Sequence, residues 1–100
     1  MTTYRIMYWH DIPYQIKAQD EKGVIKQQLS PRFSQAINSA SIAKQKHENN
    51  AYMTGWKWGK KKTTEDSAQT IVQTLSLELE EAYPKEKLRE LLLGHAKKPN

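Results

Sequence analysis

The chain of one hundred residues contains no cysteine. That removes disulfides, thiolate nucleophiles and thiolate metal ligands together. Glycine is scarce, and Gly23, Gly55, Gly59 and Gly94 stand far apart. Each reads as a turn, a bulge or a cap, and no glycine-rich phosphate loop exists, which argues against nucleotide binding by the usual loops. No apolar run approaches the ~20 residues that span a bilayer. The stretch from Met1 to Asp11 lacks both the basic and the apolar segment of a secretory signal. The expectation is a cytoplasmic protein with no membrane contact, no cofactor and no resident metal.

A chain this long fits one domain and buries roughly two-thirds of the surface its unfolded form exposes. Its apolar share is 37%, below the roughly 45–50% of ordinary globular chains. The apolar residues are nevertheless grouped and periodic, so one modest core is expected. Net charge is +5 and unevenly spread: residues 1–63 carry eleven Lys and Arg against four Asp and Glu, residues 64–100 five against seven. A basic front can steer an acidic partner or nucleic acid. Thirteen of the sixteen cations are lysine, however, a profile that an AT-rich coding bias also produces.

Residues Tyr4 to Trp9 read as a strand with Tyr4, Ile6 and Tyr8 on one face and Arg5, Met7 and Trp9 on the other. Both faces are largely apolar, which predicts a central position. Asp11-Ile12-Pro13 breaks the run. Tyr14 to Gln19 alternates, with Tyr14, Ile16 and Ala18 inward and Gln15, Lys17 and Gln19 outward. Asp20-Glu21-Lys22-Gly23 supplies a hairpin turn, and Val24 to Leu29 returns as its partner. Ser30 caps a helix with Pro31 in its first turn, whose stripe is Phe33, Ala36, Ile37 and Ala40 and which the polar run Lys44 to Asn50 ends. Ala51 to Lys60 reads as a fourth strand, weakened by Gly55 and Gly59, with Tyr52, Thr54, Trp56 and Trp58 on one face. Thr63 or Thr64 opens a helix buried along Ala68, Ile71, Val72, Leu75, Leu79, Ala82 and Tyr83. Pro84 restarts the chain as a short helix carrying Leu88, Leu91 and Leu92, stopped by Gly94. The fold class is α+β: a small, mostly antiparallel sheet in the order βββαβαα covered by two to three helices, one domain over residues 1–94 with a frayed tail over 95–100. Ile42, Leu77 and Leu93 fall off the apolar stripes and mark either a wraparound core or a partner patch.

His10, His47 and His95 lie in separate elements without ligand spacing, so surface histidine is the better reading than a metal site. His10 beside Asp11 lacks a partnered nucleophile, and no catalytic residue is identified. The stretch Tyr52 to Lys62 carries more chemistry. Aromatics such as Tyr52, Trp56 and Trp58 next to Lys60, Lys61 and Lys62 are how single-stranded nucleic acid is stacked and neutralised. Helices over that face would instead make the aromatics core.

The block Tyr8-Trp9-His10-Asp11-Ile12-Pro13 resembles the small bacterial domain family known as "virulence factor". The likeness continues through Ser30-Pro31-Arg32-Phe33, Ala36-Ile37, Ala51-Tyr52 and Trp56, over about residues 4–83. His10 stands where that family is expected to have arginine, and Trp58 and the lysine run are further departures. The resemblance implies an accessory or interaction role, with relatives encoded beside corrinoid-dependent methyl-transfer enzymes or fused to an iron–sulfur-scaffold-like domain. The leading expectation is therefore a non-enzymatic domain that binds another protein. Its contact surface is expected at Trp9, His10, Asp11, Pro13 and Arg32, presented at a rigid sheet corner. The alternative is a single-stranded nucleic-acid binder using the aromatic and lysine strand.

Overall fold

Period-two alternation runs through the first third of the chain. There the computed structural model, which describes residues 1–96, has three antiparallel strands: β1 (Thr2–Trp9), β2 (Ile12–Asp20) and β3 (Gly23–Gln28). The ladder runs from Thr3↔Gln19 to Trp9↔Ile12 between β1 and β2, and from Gln15↔Gln28 to Asp20↔Gly23 between β2 and β3. Gly23 has φ +138°, a conformation that only glycine adopts without strain, and closes the predicted turn. The run does break after Trp9, at the His10–Asp11 turn, but Ile12 and Pro13 already belong to β2, near whose start a missing N–H costs little.

The period then changes to 3.6. Helix α1 (Pro31–Gln45) buries Phe33, Ala36, Ile37 and Ala40, the predicted stripe. Helices α3 (Ala68–Ala82) and α4 (Lys85–Ala96) follow, with Ile71, Val72 and Leu88 in the same core. These side chains meet Ile16 and Ala18 of the sheet, with Tyr4 and Ile6 packed against them, so the helices cover one face only. The architecture is the expected α+β, an antiparallel sheet under a helical layer.

Between α1 and α3 the chain departs from the expected single strand. Ala51–Thr54 is a turn of helix, α2, followed by the short strands β4 (Trp56–Trp58) and β5 (Lys62–Thr64). Strand order is β3-β2-β1-β4, with β5 also paired to β1. β1 is thus central, as its two apolar faces predict. Asn50 takes φ +60° ahead of α2, and its carbonyl accepts from the Thr54 N–H at 3.0 Å and hydroxyl at 3.1 Å. Thr63 and Thr64 belong to β5, where they pair with Thr3 and Thr2. The cap of α3 is Ser67, whose hydroxyl accepts from the Thr70 N–H at 3.1 Å. Ser30 precedes α1 without a side-chain cap; its hydroxyl donates to Glu80 at 2.8 Å instead. α4 continues through Gly94 to Ala96, and residues 97–100 of the expected tail lie outside the described residues. No described helix is long and apolar enough to cross a membrane.

Candidate functional site

Trp9 is the largest fully buried side chain, 0% exposed, where a contact anchor was expected. Strict alternation would leave it on the face of Arg5 and Met7. The β1–β2 register slips between Met7 and Tyr8, however, leaving Tyr14 without a partner on β1. The segment after α1 then closes over the strand end. The indole N–H donates to the Tyr52 carbonyl at 3.1 Å, and the Gly55 carbonyl accepts from the His10 N–H at 2.9 Å. A Cβ on Gly55 would lie 2.7 Å from Trp9 Cε2 and 2.8 Å from His10 Cδ2, so this position excludes any side chain.

The rest of the block is equally engaged. His10 occupies the left-handed region at φ +53° as the first residue of a two-residue turn. Its ring lies 4.5 Å from Trp9 and 5.0 Å from His95, and its Nε2 is buried without a partner. Burial above all, then His95 and Lys44, holds its imidazole below the ordinary value, with Glu48 and Asp11 opposing. Asp11 is exposed but meets His95 Nε2 at 2.8 Å, and Pro13 is buried. Arg32 is committed too. Its guanidinium pairs with Glu80 Oε1 at 2.8 Å and donates to the Glu80 carbonyl at 2.7 Å and the Tyr83 carbonyl at 3.2 Å. Of the five residues expected to form a contact surface, Trp9 and Pro13 are thus buried, His10 and Arg32 partly covered and engaged within the fold, and Asp11 alone exposed.

The aromatic and lysine stretch does not form one face either. Tyr52 lies on α2, and Trp56 packs between it at 5.6 Å and Tyr14 at 5.1 Å. Trp58 alone stands apart, paired with Met7. The lysines divide as their strand dictates: Lys62 pairs with Tyr4 and lines a groove with Lys60, Ile6 and Leu75, whereas Lys61 lies beside Thr3, Arg5 and Lys17.

What the strands do assemble is a face that sequence reasoning did not join. Residues directly opposite in a ladder share a side of the sheet. Arg5, Lys17 and Lys26 therefore form one row across β1, β2 and β3. On one side of it lies the row Trp58, Met7, Gln15 and Gln28, and on the other the row Thr63, Thr3, Gln19 and Val24. None of these positions is acidic. None enters the core cluster, so this is the sheet face that the described helices leave open. The Arg5 guanidinium carbon lies 4.4 Å from the Trp58 ring centroid and Lys17 Nζ 5.8 Å from it. Among the described residues, none of Arg5, Lys17, Lys26 and Lys61 forms an ion pair. The available signal was the outward Lys17 of an alternating strand; the register that lines it up with Arg5 and Lys26 is not written in either strand alone.

With that geometry in place, comparison with known families is decisive for kinship. The family model described as "Virulence factor" matches residues 7–92. The chain belongs to that family. The matched span takes in the buried Trp9 block, the Arg32 fastening and most of α4, and also Lys17, Lys26 and Trp58 of the open face. No match was found among curated proteins or among solved structures. Among the described residues of this virulence-factor domain, no three His, Asp or Glu side chains are grouped to hold a metal ion.

Proposed function

We propose that this domain is a non-catalytic binding module that meets its partner through the open face of its sheet. The observation that carries the reading is the row Arg5–Lys17–Lys26, three like charges placed directly opposite one another on adjacent strands. Such pairs destabilise a sheet, and no carboxylate offsets them. A fold that keeps a row of this kind on its one uncovered face supports binding of something anionic there. Service to a corrinoid-dependent methyl-transfer or iron–sulfur system, which the family resemblance implies, would then run through contact, since a chain without cysteine has no thiolate to hold a cluster.

A photo-crosslinking amino acid placed at Gln19 or Gln28, both exposed on the open face, should trap the partner in the native host. The same group at Ile42 or Leu77, which are 64% and 68% exposed on the helical side, should not. Adducts from the helical positions alone would show that the working surface is the helical layer.

A further inference from the structure

Resting on that reading, we infer that the open face takes single-stranded nucleic acid, with the backbone phosphates along Arg5, Lys17, Lys26 and Lys61 and a base on Trp58. Three features favour this occupant over an acidic protein segment. The cations are ordered rather than scattered: Arg5, Lys17 and Lys26 cross three neighbouring strands in one ladder row. At the usual strand separation they span about 10 Å, the scale of a short run of nucleotides. The row is flanked by one aromatic, Trp58, already in cation–π contact with Arg5 at 4.4 Å. An indole joined to a guanidinium plane is a stacking platform for a base of any identity. Finally, the row beside the cations offers Gln15 and Gln28, amides that accept and donate to base edges without adding charge. A duplex presents its bases already stacked and paired, so the unpaired strand is the form this platform suits.

The test is fluorescence anisotropy with labelled twelve-nucleotide oligouridine and oligothymidine, run over a salt series on the full chain. Binding of either strand with a log–log salt slope near −2 to −3 is expected, at about −0.7 per phosphate neutralised. Lys17→Gln with Lys26→Gln should flatten that slope by about 1.4. Trp58→Leu should weaken binding about tenfold while leaving the slope unchanged. Circular dichroism of each variant checks that the sheet persists, and the lysine pair, lying on the surface, tests the inference even if the tryptophan variant is destabilised. Three outcomes overturn it. One is no binding at 20 mM salt. A second is equal affinity for duplex, for a polyglutamate peptide or for anionic vesicles. A third is undiminished binding by a folded Trp58→Leu variant. Each leaves the crosslinking from Gln19 and Gln28 standing, whereas failure of the underlying reading removes that crosslinking itself.

Discussion

Trp9, Gly55 and His10 form a junction too close for a Cβ at position 55, and they show what one residue can and cannot reveal from sequence. The alternation of β1 is legible as far as Met7; the register slip beyond it depends on how β2 bends at Tyr14, and no local pattern encodes that. Glycine at 55 reads locally as a weak strand, because the reason for it, the Trp9 indole that donates to the nearby Tyr52 carbonyl, is a tertiary one. Gly55→Ala should therefore cost about 1–3 kcal/mol by overpacking, and Trp9→Ala about 3–5 kcal/mol. Chemical denaturation checks both. A Trp9→Ala protein of near-wild-type stability would return Trp9 to the list of contact residues. His10 adds a pH dependence. Its imidazole is held below the ordinary 6.5 chiefly by burial, so the fold prefers the neutral ring. The associated stability is complete above that value and is lost as pH falls through it towards the folded value. Asn tolerates the left-handed turn and does not titrate. His10→Asn should consequently show a smaller drop in melting temperature between pH 7.5 and 5 than the wild type; an equal drop would assign the effect to another group.

Helices were the easier elements to read, since stripes such as Phe33–Ala36–Ile37–Ala40 run over about two turns at helical spacing and leave one solution. The segment between α1 and α3 was not, because its strands are three residues long and take their place only from pairing with β1. Long-range polar fastenings were likewise invisible. Asp20, the last residue of β2, accepts from the Ala68 N–H at 2.9 Å at the start of α3 and from the Lys22 N–H at 2.9 Å. The Ala68 bond foremost, then that from Lys22, holds its carboxyl below the usual range. A depressed acid stabilises the fold above its unfolded value, near 3.8, and the contribution disappears as pH falls through the lower folded value. Asp20→Asn should thus lower the melting temperature at pH 7 and converge with the wild type at pH 2–3, as thermal scans across that range would show. A constant difference at all pH values would mean that the carboxylate charge plays no part. Arg32 and Glu80 join the start of α1 to the end of α3 in the same manner, which places Arg32 among the fastenings.

At the scale of the whole molecule, the basic front seen in the composition resolves into a surface with a defined side. Its cations were each legible; their alignment was not, because it needs three strands in register. The alignment carries a stability cost that is open to measurement. Lys26→Gln should raise stability by about 0.2–1 kcal/mol by relieving the charge opposite Lys17, seen as a melting temperature a few degrees higher. A lower melting temperature would mean that the lysine row is held by contacts within the fold rather than kept for a partner. Trp58 offers the most direct test of the central claim, that the open face works and the Trp9 block supports. The three tryptophans, at positions 9, 56 and 58, give three separate indole N–H resonances in a nitrogen-15-labelled sample. On titration with oligouridine the Trp58 resonance should shift together with the amides of Arg5, Lys17 and Lys26, while the Trp9 indole, bonded to the Tyr52 carbonyl in the core, stays in place. Movement of the Trp9 indole and its neighbours His10 and Asp11, with Trp58 unmoved, would contradict the account.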